Sequence, residues 1–327
     1  MGRRKGRPVD GWLIIDKPLG VTATAVVARA RWLLNAAKCG HAGTLDPLAT
    51  GVLPLAFGEA TKVLPFLVDR TKSYRFTVRF GFETTTADQE GAATRTSPVI
   101  PDSPALTTVL PAFRGAITQV PPAFSAIKVD GERAYDLARA GVEVTLAARP
   151  VTIHAADLIA VDGETATFDV TCSKGTYVRS LAVDIARAVG AAGHVVHLRR
   201  TRVGPFGLDH AISLDMGEGS RDGRGPREDE LALVLSNRIV PLATALDDIP
   251  ALALDGTAVR QLRSGQSVRD PEAPNRGGRE GVWAAGVALA TTGTGTPVAM
   301  VQRASGLLVP VRVFNIADEG APDVDHT

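Results

Sequence analysis

Residues 40–51 read GHAGTLDPLATG, and no other stretch of the chain is as informative. It holds three glycines, one histidine and one aspartate in twelve residues, and it is rich in turn formers. An Asp-Pro turn is often purely structural, so the dipeptide at 46–47 alone indicates no chemistry. Glycines let a backbone approach a ligand closely, however, and a carboxylate within a positively charged stretch stays ionised. The pattern therefore predicts a loop that offers Asp46 as a nucleophile or a base.

The segments on both sides of this loop predict strands and helices in a mixed order. Residues 73–80 alternate apolar and polar side chains, which is typical of a half-buried strand. Tyr74 falls on the apolar side, where packing in the core is the default role of a tyrosine. Thr22 or Thr24 can cap a helix that runs to about Asn35. Further strands are predicted at 11–16 and 168–172, and a further helix at 177–189.

Length and composition exclude several classes of protein. The chain has 327 residues, of which 45% are hydrophobic and 22% are charged, which favours about two domains and excludes wholesale disorder. Cys39 and Cys172 are the only cysteines, too few for a disulfide framework or a four-thiolate metal site. No apolar run approaches the ~20 residues that cross a bilayer, and the basic start lacks the apolar stretch of a secretory signal. We therefore expect a soluble cytoplasmic protein.

Charge is distributed unevenly, although the formal net charge is only +1. Residues 1–80 hold 13 Lys and Arg against 5 Asp and Glu, and residues 174–202 hold six basic side chains against one acid. The compensating acids lie elsewhere, for example in 208–248 and in the tail. Such a separation creates a local positive field that suits a polyanion such as RNA or DNA. An ordinary solvated face is the alternative that charge alone leaves open.

The common cofactor and metal motifs do not occur in the sequence. There is no Walker phosphate loop, no G-x-G-x-x-G after a strand, no C-x-x-C and no H-E-x-x-H. His194 and His197 lie three residues apart without enough further ligands, so packing or capping is the expected role. Ser125 and Lys128 formally match the S-x-x-K of serine acyl-transferases, but neither S-D-N nor K-T-G follows them. We therefore expect neither a cofactor nor a metal.

The loop closely resembles the catalytic motif of the bacterial tRNA pseudouridine synthases that modify uridine 55 in the T-loop. The resemblance extends over about residues 11–205, in the family order, and is looser beyond about 250. The other matching motifs are LIIDKP at 13–18, GEATK at 58–62, KSYR at 72–75, a Thr/Asp-rich turn at 81–91, PPAFSAIK at 121–128, SKGTYVR at 173–179 and HVVHLRR at 194–200. Ala42 stands where many members carry threonine, a change that removes no reacting group.

This resemblance implies an α+β fold with a mixed, largely antiparallel central sheet, flanking helices and loops, and a small C-terminal β-rich PUA-like domain. Short apolar runs broken by Gly and Pro from about Ala251 onward agree with a compact β module. The expected division is a basic arm at 1–10, a catalytic domain at 11–248 with a mobile, Gly-rich and charged insertion at 217–230, a PUA-like RNA-binding domain at 249–316 and an acidic tail at 317–327.

The resemblance also implies the reaction. The N1 glycosidic bond of uridine breaks, the base turns, and C5 bonds to the ribose, which is a redox-neutral isomerisation. Asp46 is implied as the nucleophile that forms a covalent adduct, and whether it attacks the sugar C1′ or the base stays open. Arg179 is expected to pair with Asp46 and to hold the carboxylate ionised and oriented.

Further roles carry over from the family by position. Tyr74 is implied to stack on the flipped uracil, with Tyr177 at the target nucleotide and Leu198 lining the same pocket. His41 is implied to lie against the RNA and to help hold the base out of its stack. Three residues are assigned to RNA contact or to local support, without a choice between the two: Lys17, Lys62 and Asp88.

The implied partner is the T-arm stem-loop of tRNA, recognised through loop shape and splayed bases, with basic stretches on the phosphates. We expect a monomer with no obligate protein partner and no membrane contact. Three alternatives remain open: a non-catalytic RNA-binding protein on the same scaffold, a sibling synthase that acts within a guide-RNA particle, and a serine acyl-enzyme built on Ser125.

Overall fold

A ten-stranded sheet forms the centre of the main domain, and a five-stranded sheet forms a second module near the C-terminus. This fold is seen in a computed structural model of the chain. The model describes residues 6–125, 127–129, 131–142, 144, 146–217, 226–272, 283 and 286–316. The strands are β1 (Gly11–Lys17), β2 (Cys39–His41), β3 (Ala49–Phe57), β4 (Lys72–Phe80), β5 (Phe82–Thr84), β6 (Ala93–Thr96), β7 (Gly115–Gln119), β8 (Lys128–Val129), β9 (Glu132–Arg133), β10 (Arg149–Asp162), β11 (Thr165–Cys172), β12 (Gly193–Val203), β13 (Phe206–Gly207), β14 (Ile212–Ser213), β15 (Ala251–Ala253), β16 (Val268–Arg269), β17 (Ala288–Thr291), β18 (Pro297–Ala304) and β19 (Leu307–Val313).

The central sheet has the strand order β14-β1-β3-β12-β4-β11-β10-β7, with β13 beside β12 and β2 beside β3. Two of its described pairs, β1 with β14 and β3 with β12, are parallel, and the other described pairs are antiparallel. The second sheet has the order β15-β17-β18-β19-β16. The predicted α+β class, with a mixed and largely antiparallel central sheet, is confirmed.

The helices are short and connect the strands. They are α1 (Ala23–Leu33), α2 (Leu64–Val68), α3 (Ser103–Val109), α4 (Ala134–Arg139), α5 (Val178–Ala188), α6 (Pro226–Ser236) and α7 (Gly256–Arg263), with 3₁₀ turns at Gly58–Lys62, Leu110–Phe113 and Leu242–Leu246. Thr22 caps α1, since its hydroxyl accepts a hydrogen bond from the Ala25 amide at 3.1 Å. α1 ends before Asn35, whose φ of 47° lies in the left-handed region.

The alternation predicted for residues 73–80 is present in β4. Phe76, Val78 and Phe80 are buried, whereas Arg75 and Arg79 are exposed on the opposite face. β4 lies between β11 and β12, so its apolar side chains are covered by the main core. Tyr74 shares the apolar side but is only half-buried, which leaves part of its ring accessible at the end of the strand.

A second core joins the C-terminal module to the main domain. Trp12 and Phe206 of the main domain lie in one buried cluster with Leu289, Met300 and Phe314 of the C-terminal module. All five side chains are less than 5% exposed. The two sheets therefore share apolar packing and are not linked by the chain alone.

The predicted insertion at 217–230 is described only at its two ends. Residues 218–225 lie outside the described residues, but 226–230 are the first turns of α6. Pro226 at the first position, and Glu228 and Asp229 in the first turn, are typical of a helix start, because proline needs no amide partner there and acids match the helix dipole. The predicted acidic tail at 317–327 lies outside the described residues, as do residues 1–5 of the predicted basic arm at 1–10.

Candidate active site

The loop that carries Asp46 spans residues 42–48 and joins β2 to β3. It is shorter than the predicted loop at 40–51, because both ends of that stretch pair as strands. The Asp46 side chain is 41% exposed, and its backbone carbonyl accepts a hydrogen bond from the Ala49 amide at 3.0 Å. Gly43 has a φ of 96°, a conformation that favours glycine. The loop thus presents a carboxylate to a ligand from a backbone anchored at both ends.

Arg200 on β12 holds this loop from the protein interior. The residue is 1% exposed, and its Nε donates to the Val52 carbonyl at 2.7 Å, while Nη2 donates to the Gly43 carbonyl at 3.1 Å and Nη1 to the Thr44 carbonyl at 3.4 Å. These carbonyls replace the water that the buried guanidinium has lost. Nothing in the sequence indicated this role, although Arg200 lies in the HVVHLRR motif. Its partner Val52 is 148 residues away along the chain, so no local pattern connects the two.

Lys17 is fully buried beside the same loop. Its Nζ donates to the carbonyls of Pro18 at 2.8 Å, Val21 at 2.7 Å and Pro47 at 3.3 Å. Burial lowers the pKa of Lys17 to about 8, and the negative charge of Asp46 opposes that shift. Of the two roles left open for Lys17, these contacts favour local support of the loop.

Arg179 lies in the first turn of α5 and makes the expected contact with Asp46. Its Nη2 is 2.8 Å from Asp46 Oδ2, and its side chain is only 6% exposed. Nη1 lies 3.1 Å from Asp88 Oδ2 and donates to the Thr86 carbonyl at 2.8 Å, while Nη2 also donates to the Phe124 carbonyl at 2.8 Å. The guanidinium thus bridges two carboxylates, and its orientation toward Asp46 is fixed before any ligand binds.

Asp88 is the buried partner of Arg179. Its side chain is 3% exposed, and its Oδ1 accepts hydrogen bonds from the Thr86 hydroxyl at 2.5 Å and the Glu90 amide at 3.0 Å. The Thr84 hydroxyl donates to the Asp88 carbonyl at 2.5 Å. The Thr/Asp-rich turn is therefore a cradle for one carboxylate. A buried anion would repel a phosphate, so these contacts favour local support of Arg179 over contact with RNA.

A cleft of about 280 Å³ opens beside Asp46. Tyr74, Tyr177, Arg179 and Leu198 also line it, so five of the predicted site residues meet at one place. Only one described acid, Asp46, lines this cleft, and the described cations that line it are Lys72, Arg149, Lys174, Arg179 and Arg200. A cavity whose charged lining residues are mostly cations attracts anionic ligands.

Tyr74 enters the cleft from β4, where it is paired with Arg200 across the strands. Burial raises the pKa of the Tyr74 phenol, and the adjacent Arg200 guanidinium opposes that rise. Lys72, two residues earlier on the same side of β4, donates from Nζ to the carbonyls of Val68 and Arg70, each at 2.6 Å. Burial lowers the pKa of Lys72 to about 8.

Tyr177 is held at the start of α5 by a side chain that sequence reasoning missed. The Gln119 amide nitrogen donates to the Tyr177 carbonyl at 2.9 Å, and its amide oxygen accepts from the Tyr177 amide at 2.7 Å. Gln119 is 1% exposed, at the end of edge strand β7. The Arg149 guanidinium covers the Tyr177 ring, 4.8 Å from its centroid. The only signal in the sequence was a glutamine two residues before PPAFSAIK, and it does not identify Tyr177 as the partner.

His41 and Lys62 do not line the cleft. His41 is half-buried on β2, and burial, followed by the charge of Arg200, lowers the pKa of its imidazole. Lys62 lies 2.6 Å from Glu59 Oε2 and donates to the Val313 carbonyl at 2.7 Å, and the Asn315 amide donates to Glu59 at 2.8 Å. Of the two roles left open for Lys62, these contacts favour local support, because they attach the C-terminal module to the main domain.

The described residues contain no group of three or more His, Cys, Asp and Glu side chains arranged to hold a metal ion. His194 Nδ1 lies 2.9 Å from the Phe82 carbonyl, and its ring packs on Phe82. Ser125 lines the cleft, and its hydroxyl has no hydrogen-bond partner, hence no base, among the described residues. None of the described helices has the length and apolar character that a bilayer crossing requires.

Comparisons with known proteins assign the chain that carries this site to a family. Residues 31–178 match the family model described as "TruB family pseudouridylate synthase (N terminal domain)", and residues 179–247 match the "tRNA pseudouridylate synthase B C-terminal domain". Fold and site thus define a pseudouridine synthase, which is an isomerase. The chain belongs to the TruB family.

Curated relatives agree with this assignment over most of the chain. A protein of Bradyrhizobium diazoefficiens named tRNA pseudouridine synthase B is 48% identical over 317 residues, 96% of this chain and 88% of that protein. One of the same name from Gluconacetobacter diazotrophicus is 54% identical over 269 residues, 82% of this chain and 85% of that protein. A solved structure titled "Crystal Structure of a Cbf5-Nop10-Gar1 Complex" matches with a TM-score of 0.67 and 25% identity, covering 93% of this chain and 84% of that chain.

Proposed function

We propose that the protein isomerises uridine 55 in the T-loop of tRNA to pseudouridine, with Asp46 as the covalent catalyst. One observation carries the proposal: a half-exposed carboxylate, held at 2.8 Å by a buried guanidinium, lines a cleft whose other described charged residues are all cations. The cations suit an RNA, and the carboxylate suits the reaction of the family. The names of the curated relatives support tRNA as the substrate.

In this mechanism Asp46 attacks the target nucleotide and forms a covalent adduct. The bond between N1 and C1′ breaks, the uracil turns, and a bond forms between C5 and C1′. The bond between Asp46 and the nucleotide breaks in the same sequence, so that the free carboxylate is regenerated. The C5 proton is then lost and N1 gains one, so that atoms and electrons balance without a redox partner. Arg179 keeps the Asp46 carboxylate oriented throughout, and Tyr74 lies on the same cleft to help move the C5 proton. Attack on C1′ and attack on the base both fit this arrangement.

The target base has to leave the stack of the loop before Asp46 can reach it. Tyr74 and Tyr177 offer two aromatic faces on the cleft for the flipped uracil, and Leu198 offers an apolar contact. His41, on the strand before the catalytic loop, is proposed to lie against the RNA and to help hold the base out. Unstacking costs a few kcal/mol, which these contacts offset.

The proposed partner is the T-arm stem-loop of tRNA, bound in the bacterial cytoplasm by a monomer that needs no protein partner or cofactor. The β module at 249–316 is proposed to act as a PUA-like RNA-binding domain, joined to the catalytic domain at 11–248. A sibling that works within a guide-RNA particle is the second candidate, because the similar fold belongs to a Cbf5 complex with two other proteins.

The test is pseudouridine formation by the purified protein alone. Unmodified tRNA transcript and a T-arm minihelix are incubated with the protein, and modified positions are mapped by carbodiimide labelling and primer extension. Conversion of uridine 55 in both RNAs is expected. Binding without conversion would indicate a non-catalytic RNA-binding protein, and conversion that requires added guide RNA and proteins would favour the sibling. Covalent labelling of Ser125 by a fluorescent β-lactam would support the serine acyl-enzyme instead.

A further inference from the structure

Arg149 differs from the other described cations of the cleft in having a buried nitrogen without a hydrogen-bond partner. It is the first residue of β10, and its Nη2 donates to the Gly175 carbonyl at 2.9 Å. Its Nε is buried and has no hydrogen-bond partner among the described residues. Buried N–H groups almost always have a partner, because an unsatisfied donor is unfavourable. An unsatisfied donor on the wall of a ligand cleft therefore indicates that the ligand supplies the acceptor.

The remaining described cations of the cleft already have acceptors within the protein. Arg179 is bound by two carboxylates, Arg200 by carbonyls of β3 and of the loop that carries Asp46, and Lys72 by two further carbonyls. Lys174 lies 2.9 Å from Asp69. No described carboxylate lies within ion-pair distance of Arg149, whose charge is therefore available to an anion.

The Arg149 guanidinium is also held in place. The Gly175 carbonyl fixes one nitrogen, and the Tyr177 ring fixes one face at 4.8 Å. Cation–π contact with Tyr177 leaves the edge of the guanidinium plane free to donate hydrogen bonds. A planar cation in fixed orientation is well suited to a phosphate, and little side-chain entropy is lost when the phosphate binds.

We propose that Arg149 binds a backbone phosphate of the RNA beside the flipped nucleotide. The proposal rests on the proposed function, since an RNA strand in this cleft is what supplies the phosphate. Arg149 touches both the phosphate and the Tyr177 ring, so the same contact holds the strand and sets the aromatic face that receives the target nucleotide. Arg149 is a binding residue in this scheme, and Asp46 remains the reacting group.

The test is the salt dependence of RNA affinity. The Kd for a T-arm minihelix is measured by filter binding between about 50 and 200 mM salt for the wild type, Arg149→Gln and Arg79→Gln. A lost phosphate contact reduces the slope of log K against log[salt] by about 0.7 to 0.9. Arg79→Gln is the matched control, because it removes the same charge from an exposed pair with Glu164 on the opposite face of β4.

We expect Arg149→Gln to reduce the slope by about 0.7 to 0.9 and to weaken binding by about tenfold at low salt, while Arg79→Gln leaves the slope unchanged. Arg149→Lys keeps the charge but loses the Nε donor and the planar stack. It should therefore restore the slope and recover only part of the affinity.

An unchanged slope in Arg149→Gln would overturn the proposal, and so would a lower single-turnover rate at saturating RNA with no change in affinity, since Arg149 would then act only through Tyr177. Each variant is measured with its thermal midpoint, so that unfolding is not read as lost binding. If the wild type binds the minihelix but makes no pseudouridine, the proposed function fails, while the slopes still decide whether Arg149 meets a phosphate.

Discussion

Asp46, Arg179 and Asp88 form a chain of alternating charge in which only the first member reaches solvent. The Asp46 side chain is 41% exposed, whereas the other two are 6% and 3% exposed. A buried guanidinium between two carboxylates has a fixed position, because moving it would leave an unpaired buried charge. Arg179 can therefore orient Asp46, the proposed nucleophile, without losing its own contact with Asp88.

Asp46→Asn should abolish pseudouridine formation while RNA affinity stays within about tenfold of the wild type. The amide keeps the shape of the side chain but is not a nucleophile, and the carboxylate acts on the barrier more than on docking. Product formation is followed by release of tritium from C5-labelled uridine, and affinity by filter binding. Lost affinity in this variant would contradict the division of roles, and residual turnover would exclude Asp46 as the catalyst.

Arg179→Lys should lower the single-turnover rate by about 100-fold with little change in affinity. Lysine keeps the charge but offers one nitrogen, which cannot reach Asp46 and Asp88 together with the same geometry. Arg187→Lys is the control on the same helix, because Arg187 pairs with Glu83 and does not line the cleft. Equal rates for the two lysine variants, measured by quench-flow, would remove Arg179 from the catalytic assignment.

Strands β3 and β12 set the position of the loop that carries Asp46 through one close approach. Gly51 on β3 is paired with Arg200 on β12, and the Gly51 φ is 100°. A Cβ at Gly51 would clash with the Arg200 carbonyl oxygen. The backbone of β3 therefore comes within contact of the residue whose guanidinium holds the loop, and glycine is what permits it.

Gly51→Ala should destabilise the protein by about 3 kcal/mol and reduce turnover, because the side chain fits neither the φ angle nor the space beside Arg200. Gly163→Ala is the control. Its φ is also positive, at 54°, but no atom lies within 4 Å of the added methyl group, so a cost of about 1 kcal/mol is expected. Equilibrium unfolding in urea measures the free energy of unfolding of both variants. Similar costs for the two variants would mean that the close approach to Arg200 contributes nothing.

The whole molecule depends on the core shared between its two sheets. Phe314 is fully buried in the cluster that contains Trp12, and the Trp12 indole donates to the Leu242 carbonyl at 3.0 Å. Lys62 and Glu59 add polar contacts to the same junction. The C-terminal module is thus attached through packing that also covers β1 of the main domain.

Phe314→Ala should cost about 3 to 5 kcal/mol, as large-to-small changes of a buried phenylalanine do. Because the cavity lies in the shared core, amide hydrogens of β1 should exchange faster in this variant. Leu307→Ala, at a residue 41% exposed on β19, should leave β1 unchanged. Hydrogen exchange with mass spectrometry measures the protection of β1 in both variants. Normal protection of β1 in Phe314→Ala would show that the two modules are stable independently of each other.

The candidate site was largely predictable where a residue belongs to a contiguous motif. Asp46, Tyr74, Tyr177, Arg179 and Leu198 all lie in such motifs, and all line one cleft. The supporting side chains were not predictable. Gln119 reaches Tyr177 over 58 positions, and Arg179 reaches Asp88 over 91. Such a partner is chosen by the fold, and no local pattern of residues encodes it.

The sequence by itself determined the class of fold and the strand alternation of β4. It also left Thr22 and Thr24 as the candidate caps of α1 and singled out Asp46 as the candidate nucleophile, because each of these depends on side-chain period, turn chemistry or a local motif. The tertiary structure alone decided that Lys17 and Arg200 hold the catalytic loop, that Asp88 anchors Arg179, and that Arg149 keeps a free donor. Burial and hydrogen-bond partners decide such roles, and both arise only when distant segments pack together.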